Sequence, residues 1–293
     1  MRTVVLGTSD FAAAILDRLA ASPHRPQLVV TRPDRPAGRG RRLSAPPVAD
    51  AAGALGIELI QPEDVNADEA RARISAAQPD VVIVCAFGAM IRERLLADFE
   101  LLNVHPSLLP RWRGAAPVER AIMAGDEQTG VAIMRLTAGL DSGPVCLTGR
   151  EPIEPDDTYG TLSRRLQELG AGLLLRALDE APPFVEQPEE GVTYAEKIGP
   201  ADRTLEPTAT AAVNDRVVRA LTPHVGARVA LPGDGGFLGV LRAAVREADR
   251  AGALRADGEL LCFGGLELLE VQPAGGRPMD AAAYLRGHGL PEA

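Results

Sequence analysis

The sequence contains few of the residues that build disulfide or metal frameworks. Its 293 residues include only three cysteines, which are odd in number, far apart and free of any CxxC spacing. Disulfide scaffolds and cysteine-rich zinc sites need paired cysteines or short regular spacings. No ligand spacing occurs among the four histidines either, which are His24, His105, His224 and His288. The sequence therefore predicts reduced thiols and no bound metal.

Long apolar runs are also missing. No stretch of eighteen apolar residues occurs, and the N-terminus turns polar earlier than a secretory signal does. We therefore predict a cytoplasmic protein with no membrane partner.

There is no Walker-type phosphate loop, and the Gly-Arg-Gly of residues 38–40 lacks the helix-opening glycine of a dinucleotide fingerprint. Kinases and NAD-dependent enzymes are thus disfavoured.

Positive charge is outnumbered by negative charge and is unevenly distributed. The formal net charge is −9, which argues against indiscriminate binding to nucleic acids, because phosphate contacts need local positive charge. Residues 31–42, which we call the arginine loop, nevertheless carry five arginines against one acid, Asp34. Guanidinium groups suit forked phosphate contacts. The simpler alternatives are a solvated basic loop without a partner and a GC-rich genome that favours arginine throughout.

Short apolar runs alternate with helical patterns along the first 180 residues. The predicted strands are Thr3–Leu6, Leu28–Thr31, Ile57–Ile60, Val81–Val84 and Leu101–Val104. The predicted helices lie near Phe11–Ala21, Asp68–Ala77, Ile91–Ala97 and Thr158–Glu180. Strands without polar alternation are typical of a parallel sheet covered on both faces. We therefore predict a Rossmann-like α/β catalytic domain with an open parallel sheet over residues 1–182.

The remainder of the chain has a different pattern. Residues 183–207 are rich in proline, glutamate and glycine, which indicates a linker. A helix is predicted near Ala209–Leu221. Short apolar runs separated by Gly and Pro turns then follow, namely Val229–Leu231, Phe237–Leu241, Glu259–Phe263 and Leu266–Val271. This pattern predicts a small, OB-like C-terminal β-barrel over residues 208–293, a fold that often binds nucleic acid.

Polar residues occur where the last predicted strand of the sheet ends. Ligands of open parallel sheets bind beyond the carboxyl ends of the strands. Asn103 and His105 lie there, two residues apart and on one face of the strand, so their N–H groups can converge on a single oxygen as an oxyanion clamp. Asp141, in a Leu-Asp-Ser-Gly turn, can return to orient His105. A strand-end histidine and a turn-forming aspartate without catalytic roles explain the same spacing.

The segment around these residues resembles a known signature. Asn-Val-His-Pro-Ser-Leu-Leu-Pro, residues 103–110, is similar to the signature of formyltransferases that use 10-formyltetrahydrofolate, in which the aspartate of Leu-Asp-Ser-Gly completes an Asn, His, Asp set. Three further segments, VVLGTSDFA, TRPDRPAGRGRRLSAPPV and VQPAGGRPMDAAAYLRG, together with Arg111–Asp126, resemble the methionyl-tRNA formyltransferase family in particular. The resemblance covers essentially the whole chain.

The resemblance implies a reaction and a set of site residues. Methionyl-initiator-tRNA would receive the formyl group of 10-formyltetrahydrofolate, in support of translation initiation and without a metal. The catalytic residues would be Asn103, His105 and Asp141. Folate would contact Phe87, Gly88, Ser107, Leu108, Leu109 and Pro110. The tRNA would contact Arg39, Arg41 and Arg42, and the protein is expected to be a monomer.

The C-terminal region departs from the family's pattern. Residues 201–293, where a basic tRNA-holding surface is expected, carry ten arginines against twelve acids. We therefore expect a one-sided arrangement in which Arg216, Arg219 and Arg228 face the tRNA. Two alternative functions stay open. One is formyl transfer to a small amine such as an amino sugar or glycinamide ribonucleotide, and the other is folate or RNA binding without catalysis.

Overall fold

The computed structural model describes residues 1–37, 42–233 and 235–290. Up to residue 152 the elements are β1 (Thr3–Gly7), α1 (Asp10–Ala20), β2 (Pro26–Val30), β3 (Arg35–Ala37), β4 (Arg42–Ser44), α2 (Pro47–Leu55), β5 (Glu58–Ile60), α3 (Asp68–Ala76), β6 (Val81–Cys85), α4 (Glu93–Asp98), β7 (Leu101–His105), β8 (Arg113–Gly114), α5 (Pro117–Ala124), β9 (Gln128–Arg135) and β10 (Val145–Pro152). The later elements are α6 (Tyr159–Glu180), β11 (Tyr194–Ala195), α7 (Ala211–Leu221), β12 (Ala227–Ala230), β13 (Phe237–Val245), β14 (Leu254–Asp257), β15 (Leu260–Phe263), β16 (Leu266–Gln272), β17 (Met279–Asp280) and α8 (Ala281–His288).

The chain divides into two compact units. Unit 1 contains Met1–Pro117, Gln128–Pro152 and Ser163–Ala195, and unit 2 contains Val118–Glu127, Ile153–Leu162 and Glu196–Ala293. Part of the segment predicted as a linker pairs within unit 1, because Val185 bridges to Val145 and β11 pairs with β8. Compact units need not coincide with functional domains, so the predicted boundaries at residues 182 and 207 stay a prediction.

Unit 1 is built on a seven-stranded sheet of mixed direction. Its strand order is β10-β9-β7-β6-β1-β2-β5. The five strands from β5 to β7 in this order are parallel. Strand β9 pairs with β7 in antiparallel direction, and β10 pairs with β9 in antiparallel direction. Every residue of β1, β6 and β7 is buried, as expected of strands in a sheet covered on both faces. The predicted Rossmann-like class is confirmed, with two further strands, β9 and the edge strand β10, that the sequence did not predict.

The sheet is closely packed beside and on β7. A Cβ at Gly130 of β9 would lie 2.0 Å from the carbonyl oxygen of Gly149 in β10, so only glycine permits this approach of the two strands. A Cβ at Gly170 of α6 would lie 3.0 Å from Val104 Cγ1, so α6 packs directly on β7. The strand that carries the catalytic candidates is thus held by its neighbouring strands and by a helix.

Unit 2 contains a six-stranded antiparallel sheet. Its path is β12-β13-β16-β15-β14, with β17 paired to β16, and it curls into a half-barrel. Leu238 and Val240 of β13, Leu266 of β16 and Val218 of α7 are buried together in its core. Helix α7 begins after Thr210, whose hydroxyl accepts a hydrogen bond from the backbone N–H three residues later. The predicted C-terminal β-fold is confirmed, although among the described residues β12 and β14 are edge strands rather than partners in a closed barrel.

Candidate active site

Three polar side chains meet at the carboxyl end of β7. Asn103 and His105 lie two residues apart on this strand and are 9% and 3% exposed. Asp141 lies on the turn between β9 and β10. Asn103 Nδ2 donates to Asp141 Oδ1 at 3.3 Å, and His105 Nδ1 lies 3.8 Å from Asp141 Oδ2. The structure thus brings the three predicted catalytic residues together, while their roles stay a prediction.

The carboxylate of Asp141 orients Asn103 rather than His105. Its Oδ2 accepts the backbone N–H of Gly114 at 2.8 Å, and its Oδ1 accepts the Asn103 amide. The sequence predicts that Asp141 orients His105, but 3.8 Å is too long for a hydrogen bond. The carboxylate therefore holds the asparagine through a hydrogen bond and faces the imidazole without one.

A backbone carbonyl holds the imidazole of His105. Its Nε2 lies 2.9 Å from the carbonyl oxygen of Trp112. Because a carbonyl oxygen only accepts hydrogen bonds, the proton belongs on Nε2 in this arrangement. Trp112 is itself placed by Thr193, whose hydroxyl oxygen accepts its backbone N–H at 2.9 Å. Nδ1 is therefore the ring nitrogen that faces Asp141 and remains for a reacting group.

The turn after β7 contains four of the predicted folate contacts. Ser107 is fully buried, and its hydroxyl donates to the carbonyl of Arg111 at 2.6 Å, so it braces the turn. Leu108, Leu109 and Pro110 are half-buried, and the Leu109–Pro110 peptide bond is cis. These three residues follow the catalytic candidates directly and stay predicted folate contacts.

The loop after β6 ends at the same edge of the sheet. The side chain of Phe87 is buried in the apolar core of unit 1, so only its backbone is available to a ligand. Gly88 is exposed with a positive φ of 70°, and its carbonyl accepts a hydrogen bond from Arg32 Nη1 at 3.1 Å. Burial raises the pKa of the Cys85 thiol, which keeps this neighbouring sulfur neutral and unsuited to nucleophilic attack.

The predicted tRNA contacts in the arginine loop are described only in part. Strands β3 and β4 of this loop pair with each other in antiparallel register. Arg39 and Arg41 lie outside the described residues, and of Arg42 only the backbone, in β4, is described. Their contact with tRNA therefore stays a prediction that depends on the charge of the sequence.

The three C-terminal arginines make contacts inside unit 2. Arg216 Nε donates to a backbone carbonyl at 3.2 Å, and Arg219 pairs with Asp215 at 2.7 Å. The guanidinium of Arg228 stacks on the ring of Phe237 at 3.8 Å. These contacts use part of each guanidinium's bonding capacity, and the orientation of the three side chains toward tRNA stays a prediction.

Two contributors to the site were not predicted from the sequence. Gln187, from the predicted linker, donates to the carbonyl of Asp141 at 2.8 Å and to that of Gly143 at 2.7 Å. Strand β8 and the residue before it supply the carbonyl that holds His105 and the N–H that binds Asp141. Local patterns do not signal these contacts, because they join distant segments and largely use backbone atoms.

The polar groups at the end of β7 are an amide, an imidazole and a carboxylate. Such a set can donate hydrogen bonds to an oxygen that gains charge and can exchange a proton.

Within residues 1–37, 42–233 and 235–290, there is no group of three or more histidine, cysteine or acidic side chains that could hold a metal ion. None of the helices in those ranges has the length and apolar character to cross a bilayer.

Comparison with known proteins defines first the class and then the family. A family model described as formyl transferase matches residues 1–178, which include Asn103, His105 and Asp141. The methionyl-tRNA formyltransferase of Halorhodospira halophila is 46% identical over 301 residues, an alignment that covers 99% of this chain and 97% of that protein. The chain belongs to the methionyl-tRNA formyltransferase family.

Solved structures share the fold at low sequence identity. The methionyl-tRNA formyltransferase from Clostridium thermocellum matches with a TM-score of 0.61 and 12% identity, over 92% of this chain and 99% of that one. HypX from Aquifex aeolicus in complex with tetrahydrofolic acid matches with a TM-score of 0.65 and 17% identity. That match covers 100% of this chain and 48% of HypX, so this chain spans about half of that protein. At these identities the likeness concerns the fold alone.

Proposed function

We propose that the protein transfers the formyl group of 10-formyltetrahydrofolate to the α-amino group of methionyl-initiator-tRNA. Membership in the family over almost the full chain supports this function. The observation that carries it is the grouping around Asp141, which lies 3.3 Å from the Asn103 amide and 3.8 Å from His105 Nδ1. An amide and an imidazole at one strand end match the needs of an acyl transfer, in which a carbonyl oxygen becomes negatively charged.

The reaction needs an attack, a stabilised oxyanion and a proton transfer. The lone pair of the α-amino nitrogen forms a bond to the formyl carbon, and the carbonyl π pair moves to the oxygen. Collapse of the tetrahedral intermediate breaks the bond between that carbon and folate N10. The folate nitrogen leaves with the electron pair and takes up a proton, while the amine nitrogen loses one. The products are formylmethionyl-tRNA and tetrahydrofolate.

The protein's own residues stabilise the oxyanion and hold the proton. Asn103 Nδ2 has two hydrogens, and because one binds Asp141, the other can donate to the oxyanion. His105 contributes through Nδ1, because Trp112 binds Nε2. Neutral Nδ1 accepts the proton that the amine loses, and once protonated it donates a hydrogen bond to the oxyanion before the proton passes to folate N10. When Nδ1 carries a proton, both N–H groups of the ring face an acceptor, and the Asp141 carboxylate offsets the positive charge. Asp141 thus positions the amide and supports the imidazolium.

Folate binding is assigned to the two loops that flank the cluster. The turn of residues 107–110 follows His105, and the loop of residues 85–90 follows the neighbouring strand β6. The backbone at Gly88 is exposed, and among the described residues a Cβ built there would come within 4 Å only of Arg32 Nη1, at 3.6 Å. An open backbone at this edge fits a flat heterocycle that binds through amide groups. Leu108 to Pro110 supply the apolar part of the proposed site.

An assay of formyl acceptors tests the function against its alternatives. With 10-formyltetrahydrofolate as donor, the purified protein is expected to formylate methionyl-initiator-tRNA and to leave free amino sugars and glycinamide ribonucleotide unmodified. Acid gel electrophoresis of the tRNA and release of tetrahydrofolate measure the two products. Transfer to a small amine alone would support the first alternative. Binding of both substrates without turnover would support the second.

We further propose that the arginine loop neutralises tRNA phosphates through Arg39, Arg41 and Arg42. Replacing Arg39 with alanine is expected to weaken methionyl-tRNA binding and to reduce the slope of log affinity against log salt by about one. Fluorescence anisotropy over roughly 50 to 200 mM salt measures both quantities. Arg176→Ala is the control, because Arg176 is an exposed arginine of α6 paired with Glu180.

Salt and substitution together decide the role of the arginine loop. An affinity that does not fall as salt rises would contradict phosphate contact. So would an unchanged affinity in a protein with both Arg39→Ala and Arg41→Ala. Weakening of similar size in the Arg176→Ala control would instead indicate a general effect of net charge.

The expected location and oligomeric state follow from the substrates and the site. The amine substrate is an aminoacylated tRNA, so we propose that the protein works in the cytoplasm. One chain supplies Asn103, His105 and Asp141, so a monomer is sufficient for the proposed chemistry. Analytical ultracentrifugation with and without tRNA tests the monomer.

A further inference from the structure

Gln187 lies beside the turn that carries Asp141. Two residues before it, Val185 and Val145 exchange backbone hydrogen bonds at 2.8 and 2.9 Å, which fixes the segment against β10. The side chain of Gln187 is half-buried and reaches the turn from there. The function proposed above gives this residue no role.

The side-chain amide of Gln187 uses all of its hydrogen-bonding groups. Its Nε2 donates to the carbonyls of Asp141 and Gly143, at 2.8 and 2.7 Å. Its Oε1 accepts from Nε and Nη2 of Arg113, at 3.0 and 2.8 Å. Since carbonyls only accept and a guanidinium only donates, these partners determine which way the amide points.

Arg113 and Gln187 complete a ring of hydrogen bonds around Asp141. The backbone N–H of Gly114 binds the Asp141 carboxylate at 2.8 Å. Gly114 follows Arg113 in β8, and the Arg113 guanidinium binds Gln187, which binds the Asp141 carbonyl. The side chain of Asp141 is therefore bound to β8 directly, and its backbone carbonyl is bound to β8 through Gln187. That strand is itself held by its pairing with β11.

The turn inside this ring has a backbone conformation that few residues adopt. Asp141 has a φ of 43°, in the left-handed region. A Cβ at Gly143 would lie 2.0 Å from the carbonyl oxygen of Arg135. Left-handed conformations of residues other than glycine persist where the surrounding structure holds them. The two bonds from Gln187 span this turn, one on each side of Ser142.

We propose that Gln187 is a positioning residue, which holds the turn so that the Asp141 carboxylate stays against Asn103 and His105. It acts on turnover through Asp141 and does not touch the substrates. The effect on turnover rests on the proposed function, whereas the effect on the geometry of Asn103 and His105 does not. The test below therefore measures both.

Gln187→Glu removes the two donated bonds and keeps the length of the side chain. A carboxylate at this position still pairs with Arg113, but it cannot donate to the carbonyls of Asp141 and Gly143. We expect kcat to fall by about 10- to 100-fold with both KM values within about twofold, because a shift of about 1 Å at a catalytic group has effects of this size. Gln187→Met, which also lacks the donors, is expected to behave in the same way.

Gln128→Glu is the matched control. Gln128, at the start of β9, also accepts a hydrogen bond from an arginine, Arg150, at 3.1 Å. This variant is expected to keep kcat. In nitrogen-15 NMR spectra, the Asn103 amide and His105 ring signals should move in Gln187→Glu and stay in place in Gln128→Glu. A loss of stability alone would not move the signals of these two side chains in the folded protein.

The two measurements give distinct outcomes. Unchanged kcat or unmoved Asn103 and His105 signals in Gln187→Glu would overturn the proposal. If circular dichroism shows that this variant does not fold, the same criteria apply to Gln187→Met. A wild-type protein that does not formylate methionyl-tRNA would overturn the proposed function, and the NMR comparison would still decide the role of Gln187.

Discussion

Replacing His105 with alanine is expected to lower the kcat of formyl transfer by about 100- to 10,000-fold, the range typical of a positioned acid-base group. The imidazole is 3% exposed and lies between the Trp112 carbonyl and the Asp141 carboxylate. Without it, the site loses both a hydrogen bond to the oxyanion and a carrier for the amine proton. Binding of the two substrates should stay near that of the wild type. Single-turnover formylation measures the chemical step, and equilibrium titration measures binding.

His24→Gln is the control for this prediction. Of the described histidines, His24 is the other buried one, and its ring binds the N-terminal amine at 3.0 Å and Asp179 at 2.8 Å. Its replacement disturbs a buried imidazole of the same unit without touching the proposed site, so kcat should be unchanged in the folded protein. Unchanged turnover in His105→Ala would remove the proposed mechanism. Loss of binding rather than turnover would make His105 a binding residue.

Replacing Asn103 with alanine is expected to lower kcat by about 100- to 1,000-fold, the usual effect of removing one oxyanion donor. The amide is 9% exposed and held at 3.3 Å from Asp141 Oδ1, so it is oriented before a substrate arrives. Asn103→Asp has the same shape but cannot donate, and it places a second carboxylate beside Asp141. Both variants should lose turnover. The aspartate variant should also lose thermal stability at neutral pH, because two carboxylates then lie side by side.

Asn214→Ala and a double variant complete the test of Asn103. Asn214 is a buried amide of unit 2 whose bonds to the backbone of Glu206 are structural, so its loss should lower Tm and leave kcat at saturating tRNA unchanged. If Asn103 and His105 stabilise the same oxyanion, removing both should cost less than the product of the single losses. An Asn103→Asp protein with wild-type kcat would contradict the donor role.

The buried strands of unit 1 were predictable because both faces of the sheet are covered, so that nearly every residue of these strands is apolar. The runs predicted at residues 3–6, 81–84 and 101–104 correspond to β1, β6 and β7, which are buried at every position. The long helix predicted from Thr158 is α6, with its first residue at Tyr159. Unbroken apolar runs and a long helical pattern thus place an element to within a residue or so.

The antiparallel strands of unit 1 could not be predicted in the same way. Strand β9 has an apolar centre like that of the parallel strands, and its local pattern does not record the direction of its neighbours. Direction depends on the course of the intervening chain, here residues 106–127, which contain β8 and α5. The short β3 and β4 have too few residues for a period to show.

The candidate site shows the same division between local and distant information. The spacing of Asn103 and His105 is local, and it predicts their common strand end directly. Asp141 is 38 positions from Asn103, and Gln187 is 46 positions from Asp141. The sequence therefore offers Asp141 only as a turn residue that can return to the site, which the resemblance adds to the set, and it assigns Gln187 to a linker.

The sequence by itself determined the fold class, the family and the amide and imidazole at the end of one strand. Each of these depends on patterns within a few residues or on motifs of consecutive residues that can be recognised in the sequence. Only the tertiary structure decided that Asp141 binds Asn103 and Gly114, that Trp112 holds His105, and that a glutamine of the predicted linker supports the turn between β9 and β10. The atoms of these hydrogen bonds belong to residues from 7 to 46 positions apart, and only the folded chain brings them within 3 Å or so of each other.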